Sequence, residues 1–496
     1  MSYAKLFCRA SFAAKPELIT AEVHLSSGLP KFNIVGLGET SVKESKDRVR
    51  SAILSSHLEF PRKIITVNLA PANMPKKGSQ FDLAIALGIL IASCQLKANN
   101  IDSYEFAGEL GLQGEIKSCA NILNIAYGCS QTARTLITSS SDTRKILSAL
   151  NLKCVEANNL IDVFEHLANI RPIPITLGNN NFNQPISYAS NINNVVGQEH
   201  AKRALQIAAS GGHSLLLSGP PGVGKSMLAK CLPHIMPPMS KQEAIETAII
   251  QDYDHQTSYA IGVRPFRSPH HTVSSAGLVG GGNPPQPGEI SFANNGVLFL
   301  DELAEFSRNT LNCLRQPLED GKIEITRSQY KASFPAKFQL IATTNPCPCG
   351  YFGSTNKNCT CSEKEIRAYQ NKIAGPLLDR IDLFCVMDNI KITSLINKPK
   401  TNEIDLKDLS KAILEAYNIQ IKIQKSCNAQ ASHETILQRS QFSLQTTKFL
   451  EQITSKLNIS ARSYCKIIRL ARTIADLEQR CDIQTPHIIE AVSYRT

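Results

Sequence analysis

No apolar run in this 496-residue chain approaches the roughly 20 residues that span a bilayer. The longest, Leu83 to Cys94, is 12 residues and is diluted by Ala, Gly and Ser. Met1 to Ala10 holds no basic segment leading into a long apolar stretch, and no small-residue cleavage site follows. No export signal is therefore visible, and a cytoplasmic location is expected. No disulfide framework is expected in a chain whose 15 cysteines are odd in number and sit mostly alone in apolar segments, as Cys94, Cys231 and Cys385 do. Those read as buried thiols. No repeat of fixed period is present. What remains is the composition of a globular protein, 42% hydrophobic and 19% charged, with length for about three domains. The net charge of +11, from 53 basic and 42 acidic residues, is spread too thinly to identify a polyanionic partner by itself.

Residues 17 to 25 alternate apolar and polar as a half-buried strand does, and 63 to 69 form a second β-rich run, with a helix expected over Val42 to Ser55 between them. At 169 to 194 Asn, Pro, Ile and Ser dominate and charge nearly vanishes, which marks a linker between residues 1–168 and a domain starting at 195. From Val195 the order is helix, strand, Gly-rich loop, helix, then strands at 296–300 and 338–343, the alternation of a parallel α/β sheet. The domain is expected to end near 400, and 401–496 to be helical.

The segment LLLSGPPGVGKSMLAK matches G-x-x-x-x-G-K-[ST] between an apolar strand and a helix, the context in which that pattern cradles phosphate. Gly219, Gly222 and Gly224, with Pro220, Pro221 and Val223 between them, turn backbone N–H groups toward an anion at a helix N-terminus. Lys225 is placed to reach the β and γ phosphates of ATP, Ser226 to ligate Mg²⁺, and Met227 follows at the nucleotide. A second strand ends in Asp301 and Glu302. Asp301 suits Mg²⁺ held through water, and Glu302 can orient and deprotonate an attacking water. A third strand delivers Asn345, whose amide can position that water.

Taken together, GPPGVGKS, GEISFANNGVLFLDEL, ATTNPCPCG and GPLLDRID resemble the ComM/YifB family of AAA+ ATPases, which are related to magnesium-chelatase ATPase subunits and to MCM helicases. The resemblance covers nearly the whole chain. It implies an α/β fold with an AAA+ P-loop ATPase core and a C-terminal helical lid. It also implies that Val196, Gly197 and Gln198 lie near the adenine, that Arg380 is an arginine finger inserted into a neighbouring subunit, and that Arg462 is the sensor-2 arginine. A ring, a homo-hexamer, follows, with recombination proteins as further partners and no membrane association.

Residues 262 to 289 form a long insertion rich in Gly and Pro, without apolar periodicity, suited to a mobile loop. Its Arg264, Arg267, His270 and His271 offer phosphate donors, and it is similar to the family's helix-2 insert facing a central pore. Residues 322 to 337 read as a hairpin around Ser328-Gln329 carrying Arg327, Lys331 and Lys337, similar to the presensor-1 hairpin. Such loops would track the backbone of DNA, single- or double-stranded, without reading its sequence.

Cys347-Pro-Cys349 and Cys359-Thr-Cys361 follow Asn345 closely. They read either as a structural Zn²⁺ site or as reduced, unliganded cysteines, since C-x-C is a less common zinc spacing than C-x₂-C. Near the N-terminus, 75–90 and 108–123 resemble the proteolytic domain of Lon proteases, implying an α+β domain. Gln80 stands where that family has its nucleophilic Ser and Leu123 where it has its Lys, so the domain is expected to be degenerate. Ser79 is adjacent, with no base visible in the sequence. The leading expectation is an ATP-driven motor for branch migration of branched DNA during natural transformation. The alternative is a chelatase-like ATPase that remodels a protein partner without DNA.

Overall fold

The computed structural model describes residues 2–495 except 13, 37–39, 73, 75, 77, 179–191, 255–259, 328–330, 355–356, 374, 376, 390–404 and 458. Half of the expected linker, the hairpin turn Ser328-Gln329 and the boundary near 400 lie outside the described residues. The chain divides into two units: Met1–Asn183 with Ser240–Gly262, and Gln184–Met239 with Val263–Thr496.

The first unit has two four-stranded sheets. In one, Tyr3–Phe12, Lys15–Ser26, Ile64–Ala70 and Lys31–Val35 lie in that order, the last pair parallel and the others antiparallel. Ile19, Ala21, Val23 and Leu25 point inward from the second strand, as the alternation expected from its sequence requires. The helix Asp82–Ala92 covers this sheet and is apolar on nearly every side, so it is buried almost completely. The other sheet runs Ile175–Leu177, Lys153–Glu156, Thr135–Thr138, Tyr104–Phe106. Its edge strand Ile175–Leu177 falls inside the stretch read from sequence as linker, because backbone pairing to Lys153–Glu156 needs no charge or periodicity.

The segment Ser240–Gly262 belongs to this unit although it follows the P-loop in sequence. Its helix Lys241–Gln251 starts at a Ser240/Glu243 capping box and buries Ala248 and Ile249 against Ile122, Leu123, Ile125 and Ile146. Asp252 accepts the Leu123 N–H at 3.0 Å and pairs with Lys145, while the Tyr253 hydroxyl meets Ser11 Oγ at 2.7 Å. Deeper in the unit, buried Glu105 takes Arg9 at 2.7 and 3.0 Å and Arg134 at 3.2 Å.

The second unit is built on five strands, all parallel, in the order Phe266–Arg267, Val297–Leu300, Gln339–Thr344, Leu215–Ser218, Leu383–Val386. Central strands with both faces covered need continuous apolar runs, and Leu215-Leu-Leu and Val297-Leu-Phe-Leu supply them. The helices Leu406–Gln424, Ala461–Leu477 and Thr485–Ser493 join the same hydrophobic core as these strands. The edge strand Phe266–Arg267 lies inside the stretch expected to be a mobile loop; two residues are too few to show a period. Cys231 and Cys385 are buried as expected. Cys94 is exposed, at the end of its helix with φ +64°.

Removing Arg9 leaves the Glu105 carboxylate buried and under-compensated. Arg9→Ala is expected to shift the first unit's urea transition down by the equivalent of about 3 kcal/mol, while Glu17→Ala, on an exposed position of the same sheet, stays within about 0.5 kcal/mol.

Candidate nucleotide site

Strand register assembles this site at the C-terminal edge of the parallel sheet, where open α/β sheets bind ligands. Ser218 pairs with Thr344 and Leu300 with Ala342, so Gly219 comes level with Asn345 and Asp301 with Thr343. Gly219 is confined there because a Cβ would stand 2.3 Å from the Met387 carbonyl oxygen. Gly224, at φ +92°, turns the loop into the helix Lys225–Ala229.

The side chains form one connected array. Ser226 Oγ donates to Asp301 Oδ2 at 2.9 Å, and Thr343 Oγ1 donates to the other Asp301 oxygen. The Glu302 N–H donates to Thr343 Oγ1 at 3.1 Å, and Glu302 adopts φ +53°, a left-handed conformation uncommon outside glycine. Lys225 Nζ bonds Asn345 Oδ1 at 2.9 Å and the carbonyls of Pro220, also 2.9 Å, and Gly219. Burial pulls the Lys225 ammonium down to about 8, with Asp301 and Glu302 opposing the shift. Val195 packs 3.5 Å from where a Gly224 Cβ would be, and Gln198 Nε2 donates to the Asp388 carbonyl at 2.6 Å. The segment carrying Val196, Gly197 and Gln198 thus lies beside the loop. Met227 is exposed on the helix behind it.

The donor set fits a magnesium nucleotide. Two hard oxygens, Ser226 Oγ and Asp301 Oδ2, meet where Mg²⁺ is held in P-loop proteins, and the lysine rests on backbone carbonyls that phosphate oxygens can replace. Sequence reasoning missed Thr343, which fixes both carboxylate-bearing residues. Its place two residues before Asn345, on the same strand face, was the available signal.

Arg380 and Arg462 are elsewhere. Arg380 precedes the strand Leu383–Val386, whose first residue pairs with Leu215, so it sits at the N-terminal edge of the sheet. The paired strand alone spans about 10 Å between that edge and the P-loop. Arg380 and Arg462 both bond Glu319 Oε1 at 2.7 Å, and the Arg380 hydrogen bond, helped by Arg462, holds the Glu319 carboxyl below its usual value. The helix carrying Arg462 is tied alongside by Lys466, 3.0 Å from Asp382 and 2.9 Å from the Ile381 carbonyl. Burial favours a neutral Asp382, but His213 and Lys466 outweigh it and hold the carboxyl well below the usual range.

The basic residues proposed to face a phosphate backbone separate into groups. Arg264 is committed to the carbonyls of Pro237, Asn295 and Pro238, at 2.7, 2.5 and 3.4 Å, and is a cross-brace in the structure. Arg267 lies over the Phe292 ring. His270 is exposed, and its ring is 4.0 Å from that of His271. Lys322–Thr326 and Lys331–Pro335 form the expected hairpin. Arg327, at its turn end, lies 3.5 Å from the position of a Gly281 Cβ, so hairpin and insertion meet there. Lys331 pairs with Glu324 at 3.2 Å, whereas Lys337 lies beyond the hairpin's base, at the opposite end from Arg327.

Cys347, Cys349, Cys359 and Cys361 converge, their sulfurs all within 4.8 Å of one another. In the first unit Gln80 and Leu123 are buried, and no Ser-Lys pair forms at those positions. Ser79, for which the sequence offered no base, donates to Glu109.

This loop and sheet belong to the magnesium-chelatase type of AAA+ ATPase. Family models described as magnesium chelatase, subunit ChlI, match residues 191–395, a second ChlI model matches 21–142, and the ChlI C-terminal model matches 405–495. Within that class the chain is a member of the ComM/YifB family. It is 41% identical to competence protein ComM of Haemophilus influenzae across all of this chain and 98% of that protein, and 40% identical to YifB of Salmonella typhimurium across all of this chain and 97% of that one. Over 31% of its length it is also 29% identical to Lon protease 2 of Bacillus subtilis, covering 32% of that protein. Among the described residues no helix is long and apolar enough to cross a membrane.

Phosphates bound beside Lys225 would raise its lowered pKa, so ATP binding is expected to take up more proton at pH 8 than at pH 7. Calorimetry in buffers of different ionisation enthalpy reads this directly; equal uptake at the two pH values contradicts it.

Proposed function

We propose that the chain is an ATP-driven, ring-forming motor that promotes branch migration and unwinding of branched DNA in recombination intermediates during natural transformation. One observation carries the assembly: Arg380 and Arg462 share Glu319 at the sheet edge opposite the P-loop of their own chain. In this reading a γ-phosphate held at one loop is reached by Arg380 of another copy, and a head-to-tail arrangement of such sites closes into a ring, a homo-hexamer. The name of the Haemophilus influenzae relative, a competence protein, supports the process.

In this reading Gly219 to Ser226 bind the phosphates, and Ser226 and Asp301 hold Mg²⁺, which supplies charge neutralisation at the β and γ oxygens. Glu302 takes the proton of the attacking water and Asn345 orients that water. Arg380, with Arg462 beside it, stabilises charge that develops only in the transition state, which makes hydrolysis depend on assembly. Residues 195–400, apart from the segment Ser240–Gly262 that belongs to the first unit, are the ATPase core and 401–496 the helical lid. Residues 1–168 are a degenerate Lon-like domain that supports assembly or DNA engagement. Arg327, Lys331, His270 and His271 supply sequence-independent phosphate contacts, and Arg264 braces the insertion that carries the histidines. The three chelatase-type matches favour, as a second reading, remodelling of a protein partner without DNA.

Forked DNA is expected to stimulate ATP hydrolysis, and Lys225→Ala and Glu302→Gln each to abolish both hydrolysis and branch migration. Stimulation absent from an active ATPase favours the protein-remodelling reading. Arg380→Ala is expected to lower turnover by roughly 10³-fold or more. Mixing it with Lys225→Ala should restore part of the activity, because each supplies what its neighbour lacks; no recovery in mixed rings overturns the shared site.

A further inference from the structure

We propose that Cys347, Cys349, Cys359 and Cys361 hold one Zn²⁺, and that this centre clamps the loop after Asn345 against the P-loop. The geometry selects a metal over the alternatives. Cys347, Cys349 and Cys359 form a nearly equilateral triangle of sulfurs with sides of 3.4, 3.5 and 3.7 Å, and Cys361 lies within 4.8 Å of each. Zn–S bonds of about 2.3 Å in a tetrahedron place sulfurs about 3.8 Å apart. A disulfide would draw one pair to about 2.05 Å and leave the third sulfur aside. A polynuclear iron–sulfur cluster needs more room between its ligands than this triangle leaves. Backbone N–H groups point at the sulfurs, Phe352 to Cys347 at 3.3 Å and Cys349 to Cys361 at 3.4 Å, an arrangement that stabilises thiolates on a metal.

The position of the cluster gives it a role. The turn closed by the Gly350 N–H on the Cys347 carbonyl places a Gly350 Cβ position 2.8 Å from Pro221 Cδ and 3.9 Å from Asn345 Cγ. The knuckle therefore rests on the P-loop and on the residue that bonds Lys225. On its other side Gln370, from the helix Glu363–Ile373, donates to the Pro346 carbonyl at 3.3 Å, and Ser362 caps that helix directly after Cys361. Four metal bonds would hold these short, loop-borne contacts in one arrangement, where reduced thiols offer only weak hydrogen bonds. The clamp rests on the nucleotide reading above; the metal site does not.

The test uses the full chain purified without chelators. Elemental analysis is expected to give one zinc per chain. Exchange for Co²⁺ should produce thiolate-to-metal charge-transfer absorption in the near ultraviolet together with visible bands of tetrahedral cobalt. The double substitution Cys359→Ser/Cys361→Ser should lose the metal, bind a fluorescent ATP analogue within about threefold of the parent, and turn over ATP roughly tenfold or more slowly. Iron, no metal, or disulfides among these cysteines in the purified chain overturns the site. Zinc in the parent with unchanged turnover in the metal-free variant overturns the clamp. The metal readouts need no ATPase activity, so failure of the site and failure of the nucleotide reading are separate results.

Discussion

All five strands of the second unit's sheet run in one direction, and that direction sorts its candidate site residues into two sets. Residues that follow strands, namely Gly219 to Ser226, Asp301, Glu302 and Asn345, gather at one edge. Arg380, which precedes a strand, is held at the other. Leu215–Ser218 pairs in parallel with Leu383–Val386, so Arg380 and the P-loop of the same chain stand at opposite ends of these strands. The proposed division of the nucleotide site between copies rests on that separation.

Within the first set, order is imposed through Asp301. It accepts from Ser226 and Thr343, and Thr343 accepts from the Glu302 backbone, so Asp301 and Glu302, the residues proposed for the metal and the water, share one hydroxyl. Holding Glu302 in a left-handed conformation costs energy that the surrounding buried strands must offset. Lys225 is likewise held in a partly desolvated position, its charge supported by the two neighbouring carboxylates. In the second set Glu319 gathers two cations, and the Lys466 to Asp382 pair fixes the helix carrying Arg462 beside the segment carrying Arg380.

Much of this was legible locally. The P-loop, the strand ending in Asp301 and the hairpin at 322–337 each announce themselves within a dozen residues, because turn chemistry and apolar runs act over that range. Arg264 shows where such reading stops. In a Gly- and Pro-rich stretch it looks like a phosphate donor, yet its partners are carbonyls at Pro237 and Asn295, 27 and 31 residues away in sequence. By position in sequence Ser240–Gly262 falls inside the expected ATPase core; burial of Ala248 and Ile249 with Leu123 assigns it to the first unit. Ser79 gains Glu109 as a partner only through contacts between separate segments.

The sequence by itself determined the chemistry at the phosphate end: which residue types are present, their spacing, and the strand and helix that flank them. These follow from short-range rules, since a glycine turn and a helix N-terminus make an anion site wherever they occur together. Tertiary structure decided which of the remaining charged residues are available. Pairing register set Thr343 against Asp301, strand direction placed Arg380 away from its own P-loop, and tertiary folding brought four thiols within 4.8 Å of one another. Those outcomes depend on contacts between distant segments, whose geometry no local pattern encodes.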